Sequence, residues 1–216
     1  MCIRDRRVLK PYSKWGLHAH GAALGCVGHI LSSEFKKIYI ASTFHQDALF
    51  PWASHPDTDP LLGSREITLI HDGCETDRPH KIEAVCEHEI VMDHLRVCWA
   101  NVEGTYNCGG CEKCLRTMII LDAIGKLGRC RTLPGRPDPK AVRRLLYTHD
   151  YEVGRVFARE DISFLEACGL QQSPMVASLR TALARPRWLA GLIRAVRKRA
   201  QKLARLVSSV SPFGLE

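Results

Sequence analysis

Four cysteines fall within the 17 residues from Cys98 to Cys114, spaced Cys98-x9-Cys108-x2-Cys111-x2-Cys114. Thiolates that share one metal ion stand about 2.3 Å from it at the corners of a tetrahedron. A two-residue gap turns the backbone back so that successive sulfurs face one point. Gly109 and Gly110 are expected to relieve the crowding of that turn. The nine-residue stretch after Cys98 is long enough to bring a fourth sulfur to the same ion. An all-thiolate set suits Zn2+ or an iron–sulfur cluster. Four ligands close a structural site, which favours a structural Zn2+ on Cys98, Cys108, Cys111 and Cys114. The other cysteines read as core or surface thiols, with Cys26 and Cys86 on apolar helical faces.

A chain of 216 residues buries about 70% of its unfolded surface on folding, so a core forms here without disulfides. No apolar run approaches the roughly 20 residues of a membrane span, and no charged-then-apolar leader opens the chain. The expectation is a cytoplasmic globular protein. Its net charge of +8 is unevenly placed. Residues 1–170 hold 22 Lys and Arg against 22 Asp and Glu, whereas residues 171–216 hold 9 against 1. A polyanion or membrane partner therefore has to be met by the C-terminal part.

Residues 1–6, MCIRDR, carry no apolar pattern and read as an artefactual start, with the true protein beginning upstream and this chain a fragment. From 15 to 31 apolar and small residues recur at helical spacing: Ala22, Ala23, Cys26, Val27, Ile30, Leu31. The small-residue run HGAALGCVG suggests close packing on a sheet. Residues 37–42 read as a buried parallel strand, 43–65 as a long functional loop, and 66–71 as a second strand. Asp72-Gly73 turns the chain, 79–89 reads as a helix, and 112–127 as a helix ending near Gly128. Strand, loop, strand and helix in alternation predict an α/β fold, a partial doubly wound parallel sheet of Rossmann-like type. Within an α/β region over 7–132, ligands are expected at the carboxyl ends of the strands, near Ser42 and Asp72.

Residues 133–137 read as a linker, and 138–207 as a helical region in which Asp138 caps a helix with Pro139 at its first position. An amphipathic helix is predicted over 186–207. Leu189, Leu192, Ile193, Val196, Leu203 and Val207 form its apolar stripe, flanked by Arg194, Arg197, Lys198, Arg199, Lys202 and Arg205. Three roles fit it: covering the rest of the protein, binding RNA, or lying on an anionic membrane surface. Residues 208–216 read as a frayed tail.

Several segments together resemble a known family. The stretch LRVCWANVEGTYNCGGCEKCLRTM is similar to the zinc loop of the 7-cyano-7-deazaguanine synthases, ATP-dependent enzymes of the PP-loop pyrophosphatase (adenine nucleotide alpha-hydrolase, HUP-type) superfamily. His55 to Leu61, HPDTDPL, resembles that family's Tyr-Pro-Asp-Cys substrate loop, with His55 at its Tyr and Thr58 at its Cys. Pro79-His80-Lys81-Ile82 resembles the Thr-Lys-x-x-Ile start of its next helix. The resemblance spans about residues 15–130, in the family's order, and suits an uncharacterised sister group. The superfamily's Ser-Gly-Gly-x-Asp-Ser loop, which grips the ATP pyrophosphate, is absent from the chain.

The resemblance implies an AMP- and pyrophosphate-forming ligase. ATP with Mg2+ adenylates a small substrate, and a nitrogen nucleophile then displaces AMP. The chain by itself is expected to be inactive. Candidate substrate- or nucleotide-binding residues are His20, Ser42, His55, Asp57, Asp59, Asp72, Glu75, Arg78 and Lys81. Asp57 and Asp59 would orient substrate or Mg2+; Arg78 and Lys81 would neutralise a phosphate; His20 would line the nucleotide cleft. Each has a bland counterpart in a turn, a cap or a solvated charge. Trp52 reads as a packing residue and Arg116 as a partner for an acid. A tRNA-thiolating enzyme with an iron–sulfur cluster, and a non-enzymatic zinc module that binds nucleic acid, are the alternatives. A homo-oligomer is compatible with each.

Overall fold

The computed structural model describes residues 14–100, 102, 104–145, 151–186 and seven further positions between 188 and 200. It is a mixed α/β chain, mostly helical, with a small parallel two-stranded sheet. It divides into two compact units, Met1–Lys81 and Ile82–Glu216. The predicted basic helix 186–207 and the segments 1–6 and 208–216 lie largely or wholly outside the described residues.

In the first unit a π-helical turn, Trp15–Ala19, runs into α1 (His20–Ile30). Then come β1 (Lys37–Ala41), 3-10 turns at Gln46–Ala48 and Asp59–Leu62, β2 (Thr68–Asp72) and the start of α2 (Arg78–Val85). The strands pair in parallel, from Lys37 opposite Thr68 to Ala41 opposite Asp72. Parallel neighbours need a crossover connection, usually a helix. Here the long loop with its short turns makes that connection.

Burial along β1 corrects the expectation of a strand covered on both faces. Ile40 is buried and Ile38 half-buried, while Lys37, Tyr39 and Ala41 are exposed. Among the described residues the sheet is covered by α1 on the face that bears Ile40, Ile67 and Leu69, which form the small core between them. The packing face of α1 is also corrected. Cys26, Val27 and Ile30 are exposed, and the buried positions are Gly21, Gly25 and Gly28. A Cβ on Gly28 would stand 3.0 Å from Leu69 Cδ2, and one on Gly21 would stand 1.8 Å from the Ala53 carbonyl oxygen. The helix backbone itself lies on the sheet, so the bulkier residues are forced to the outer side.

The second unit holds α3 (Glu89–His94), α4 (Glu112–Ala123), α5 (Pro139–Leu145), α6 (Tyr151–Ala167) and α7 (Pro174–Leu183). Residues Cys114 to Leu121 of α4 are all buried, so this helix is the axis of the core. A helix buried on every side belongs inside a bundle, and its polar members, Arg116 and Thr117, are buried with it. It ends before the predicted 127, at Ala123, because Gly125 takes a left-handed φ of 70° that terminates the turn. The helix predicted over 79–89 stops at Val85. Asp138 caps α5 through the backbone N–H groups of Lys140 and Ala141, and Ser173 caps α7 ahead of Pro174. Leu133, at the head of the predicted linker, is buried with Leu127 and Cys130 in the core.

One buried ion cluster braces this core. The Arg116 guanidinium lies over the Phe157 ring at 3.8 Å and faces Glu112 at 3.3 Å, Glu160 at 2.8 Å and Asp161 at 3.5 Å. One cation thus serves three carboxylates. Burial, only partly offset by Arg116, lifts the Asp161 carboxyl to about 7. An unfolded aspartate titrates near 3.9. Between about pH 4 and pH 7 the folded chain therefore holds the extra proton, and stability falls as pH rises through that window. Asp161→Asn is expected to remove this slope. Melting curves of both proteins at several pH values check it; a stability difference between wild type and Asp161→Asn that does not change between about pH 4 and pH 7 would contradict it.

Candidate metal centre

The four cysteines predicted from spacing come together in space. Their sulfurs all lie within 4.8 Å of one another, and the Cys98 and Cys111 sulfurs are 3.9 Å apart. A tetrahedral zinc with 2.3 Å bonds sets its sulfurs about 3.8 Å apart, so the group fits such an ion. Cys98, Cys111 and Cys114 are buried, Cys108 half-buried. Cys111 precedes the first residue of α4 and Cys114 sits in its first turn, where the positive end of the helix dipole favours thiolate charge. The Cys111 backbone N–H donates to the Cys108 sulfur at 3.3 Å.

Gly109 makes the turn possible, with a φ of 64° and the Pro134 ring 2.5 Å from where a Cβ would stand. Gly110 has negative φ and open space around it, so the relief expected of both glycines is supplied by Gly109. Burial, reinforced by neighbouring sulfurs, raises the thiols of Cys108 and Cys114 above the ordinary cysteine value, Cys114 strongly. A bound cation would supply the missing positive charge, and binding would release protons.

Asn107, which spacing did not single out, holds this loop in place. Its side-chain oxygen accepts from the backbone N–H groups of Val97 and Cys98, both at 3.0 Å. Its amide nitrogen donates to the carbonyls of Leu95 at 2.8 Å and Thr132 at 3.1 Å. A single buried side chain thus ties the Cys98 segment, the Cys108 turn and the 130–134 turn together. Tyr106 adds a hydroxyl bond to the His94 carbonyl at 3.0 Å. An asparagine beside a ligand cysteine carries no periodic signal; only the fold shows what it reaches.

The remaining candidates lie in the first unit and divide sharply. Lys81 folds back beside Gly73, its ammonium 3.4 Å from the Ser42 carbonyl, which draws the two strand ends together. The Ser42 hydroxyl donates to the Phe44 carbonyl at 2.6 Å, and Ser42 N–H to the Asp72 carbonyl at 2.8 Å. Asp72 and Glu75 are exposed, and Arg78 is half-buried at the start of α2. His20 bonds the Trp15 carbonyl at 3.2 Å and packs edge-on against Trp52, which also meets Phe44 and Phe50. His55 accepts from the Asp57 N–H at 3.2 Å, a local turn that leaves the Asp57 side chain exposed. Asp59 is fully buried, and both its oxygens accept hydrogen bonds from the protein, so an Mg2+ role for it finds no free oxygen. Among the described residues no helix is long and apolar enough to cross a membrane. No protein-family model, curated protein or solved structure matches the chain.

Proposed function

We propose that this chain is the zinc-anchored part of an ATP-dependent, AMP- and pyrophosphate-forming ligase resembling the PP-loop pyrophosphatases. The observation that supports it most is the convergence of Cys98, Cys108, Cys111 and Cys114 in the segment that resembles the zinc loop of that family. The parallel pairing of β1 and β2 is compatible with a portion of a Rossmann-like sheet. Zinc here is structural: four protein ligands leave no position for a reactant. Its role is to tie the 98–114 loop to the N-terminal turn of α4. The residues of this chain would hold and orient a small substrate at the carboxyl ends of the strands, where Ser42, Lys81 and Asp72 meet. Phosphate binding at such an edge normally requires a glycine-rich strand-to-helix turn, and the described residues contain none.

The test is to read the genomic sequence directly upstream of Arg7 and assay the encoded protein for ATP–pyrophosphate exchange. The expected result is a Ser-Gly-Gly-x-Asp-Ser loop and exchange that depends on it. An upstream sequence without that loop, or no exchange with the loop present, would contradict the assignment. The same four sulfurs are chemically suited to an iron–sulfur cluster, which would point to the tRNA-thiolating branch. Iron content and a visible charge-transfer absorbance distinguish the two.

A further inference from the structure

Three side chains of the first unit form a hydrogen-bonded chain that the zinc loop has no part in. Asp59, completely buried, receives the Ser54 hydroxyl at 2.6 Å and His71 Nδ1 at 2.7 Å on one oxygen, and the His55 backbone N–H at 3.2 Å on the other. An ionised carboxylate only accepts, so the ring proton of a neutral His71 resides on Nδ1. Its Nε2 then carries the lone pair. The His71 side chain is 3% exposed, and Nε2 is buried with no hydrogen-bond partner.

Leaving such an atom unsatisfied is costly, and buried polar atoms left without partners call for an occupant. Among the described residues no second set of histidine, cysteine or carboxylate ligands gathers there, which argues against a metal ion as that occupant. His71 also lies next to last in β2, at the carboxyl end of a parallel strand, where open α/β sheets take their ligands.

We propose that His71 is the proton-accepting group of a ligand site at this edge, serving a ligand that presents an N–H or O–H group. The ligand proton passes to Nε2, whose lone pair becomes the new N–H bond. The pair that held the proton stays on the ligand atom, and Asp59 faces the resulting imidazolium. A carboxylate behind an imidazole fixes both its tautomer and its aim. Ser54 fills the remaining direction on the same carboxylate oxygen. That the ligand atom is a nitrogen nucleophile rests on the ligase assignment; the accepting role of Nε2 does not.

Diethyl pyrocarbonate, which acylates unprotonated imidazole nitrogen, tests this on the chain as it stands. The exposed His80 serves as the reference for active reagent. The expected result is modification of His71 in the folded protein, slower than that of exposed His80 because its side chain is 3% exposed, read by peptide mass spectrometry, with the circular dichroism spectrum unchanged. Asp59→Asn, which frees the tautomer so that Nε2 no longer always carries the lone pair, is expected to slow it. Modification of His71 only after unfolding in urea, with His80 fully labelled beforehand, would overturn the proposal. The wild-type comparison stands by itself should the variant fail to fold. ATP takes no part in the labelling, so its failure and the failure of the ligase assignment are separate results.

Discussion

Cys111→Ser is expected to lose the metal ion and unfold much of the second unit. Cys111 contributes a buried sulfur at the N-terminus of α4, and α4 is the axis of the core. Structural zinc in small sites supplies roughly 10–16 kcal/mol of apparent folding free energy near neutral pH. That exceeds the 5–15 kcal/mol net stability of an ordinary domain over most of its range, so a three-ligand remnant would leave little of the unit folded. Metal analysis together with far-ultraviolet circular dichroism reads both effects. A variant that keeps full metal and a wild-type melting curve would refute the ligand assignment. Acid should act in the same direction: the half-buried Cys108 and buried Cys114 thiols hold protons more firmly than a free cysteine, and each proton competes with the ion.

Asn107→Ala is expected to cost about 2–4 kcal/mol, from two backbone N–H groups and two carbonyls that lose a partner at once. Thr132 softens the loss at one of them, since its hydroxyl also reaches the Leu95 carbonyl at 2.7 Å. Zinc affinity should fall about 10- to 100-fold, as it does when the groups that orient metal ligands are removed. Competition with a chromophoric chelator measures the affinity, and urea denaturation with excess zinc measures the stability. Asn107→Asp distinguishes orientation from bulk: it keeps the acceptor for Val97 and Cys98 but cannot donate to Leu95 and Thr132. An affinity unchanged in both variants would show that the cysteines hold their places unaided.

Spacing and local chemistry made much of this legible. Two gaps of two residues, the first of them Gly109-Gly110, mark the cysteines as one group. Asp138-Pro139 marked a helix start, and HGAALGCVG marked close packing. Reading failed where the deciding contacts are long-range. Cys26, Val27 and Ile30 have the right period to be a buried face, yet the glycines between them allow a closer approach and take that side. The pairing of Asp59 with His71 joins a loop turn to a strand twelve residues away, so Asp59 looked like a substrate or Mg2+ ligand although the protein already uses both oxygens. Asn107 was invisible because its four partners lie in two segments, 95–98 and the turn at Thr132, nine to twelve and twenty-five residues away.

The most direct measurement is X-ray absorption at the zinc edge on the purified chain, combined with elemental analysis. The account predicts one zinc per chain with four sulfur neighbours at about 2.3 Å and no nitrogen or oxygen in the shell. Fewer than four sulfurs, a mixed shell, or iron in place of zinc would contradict it.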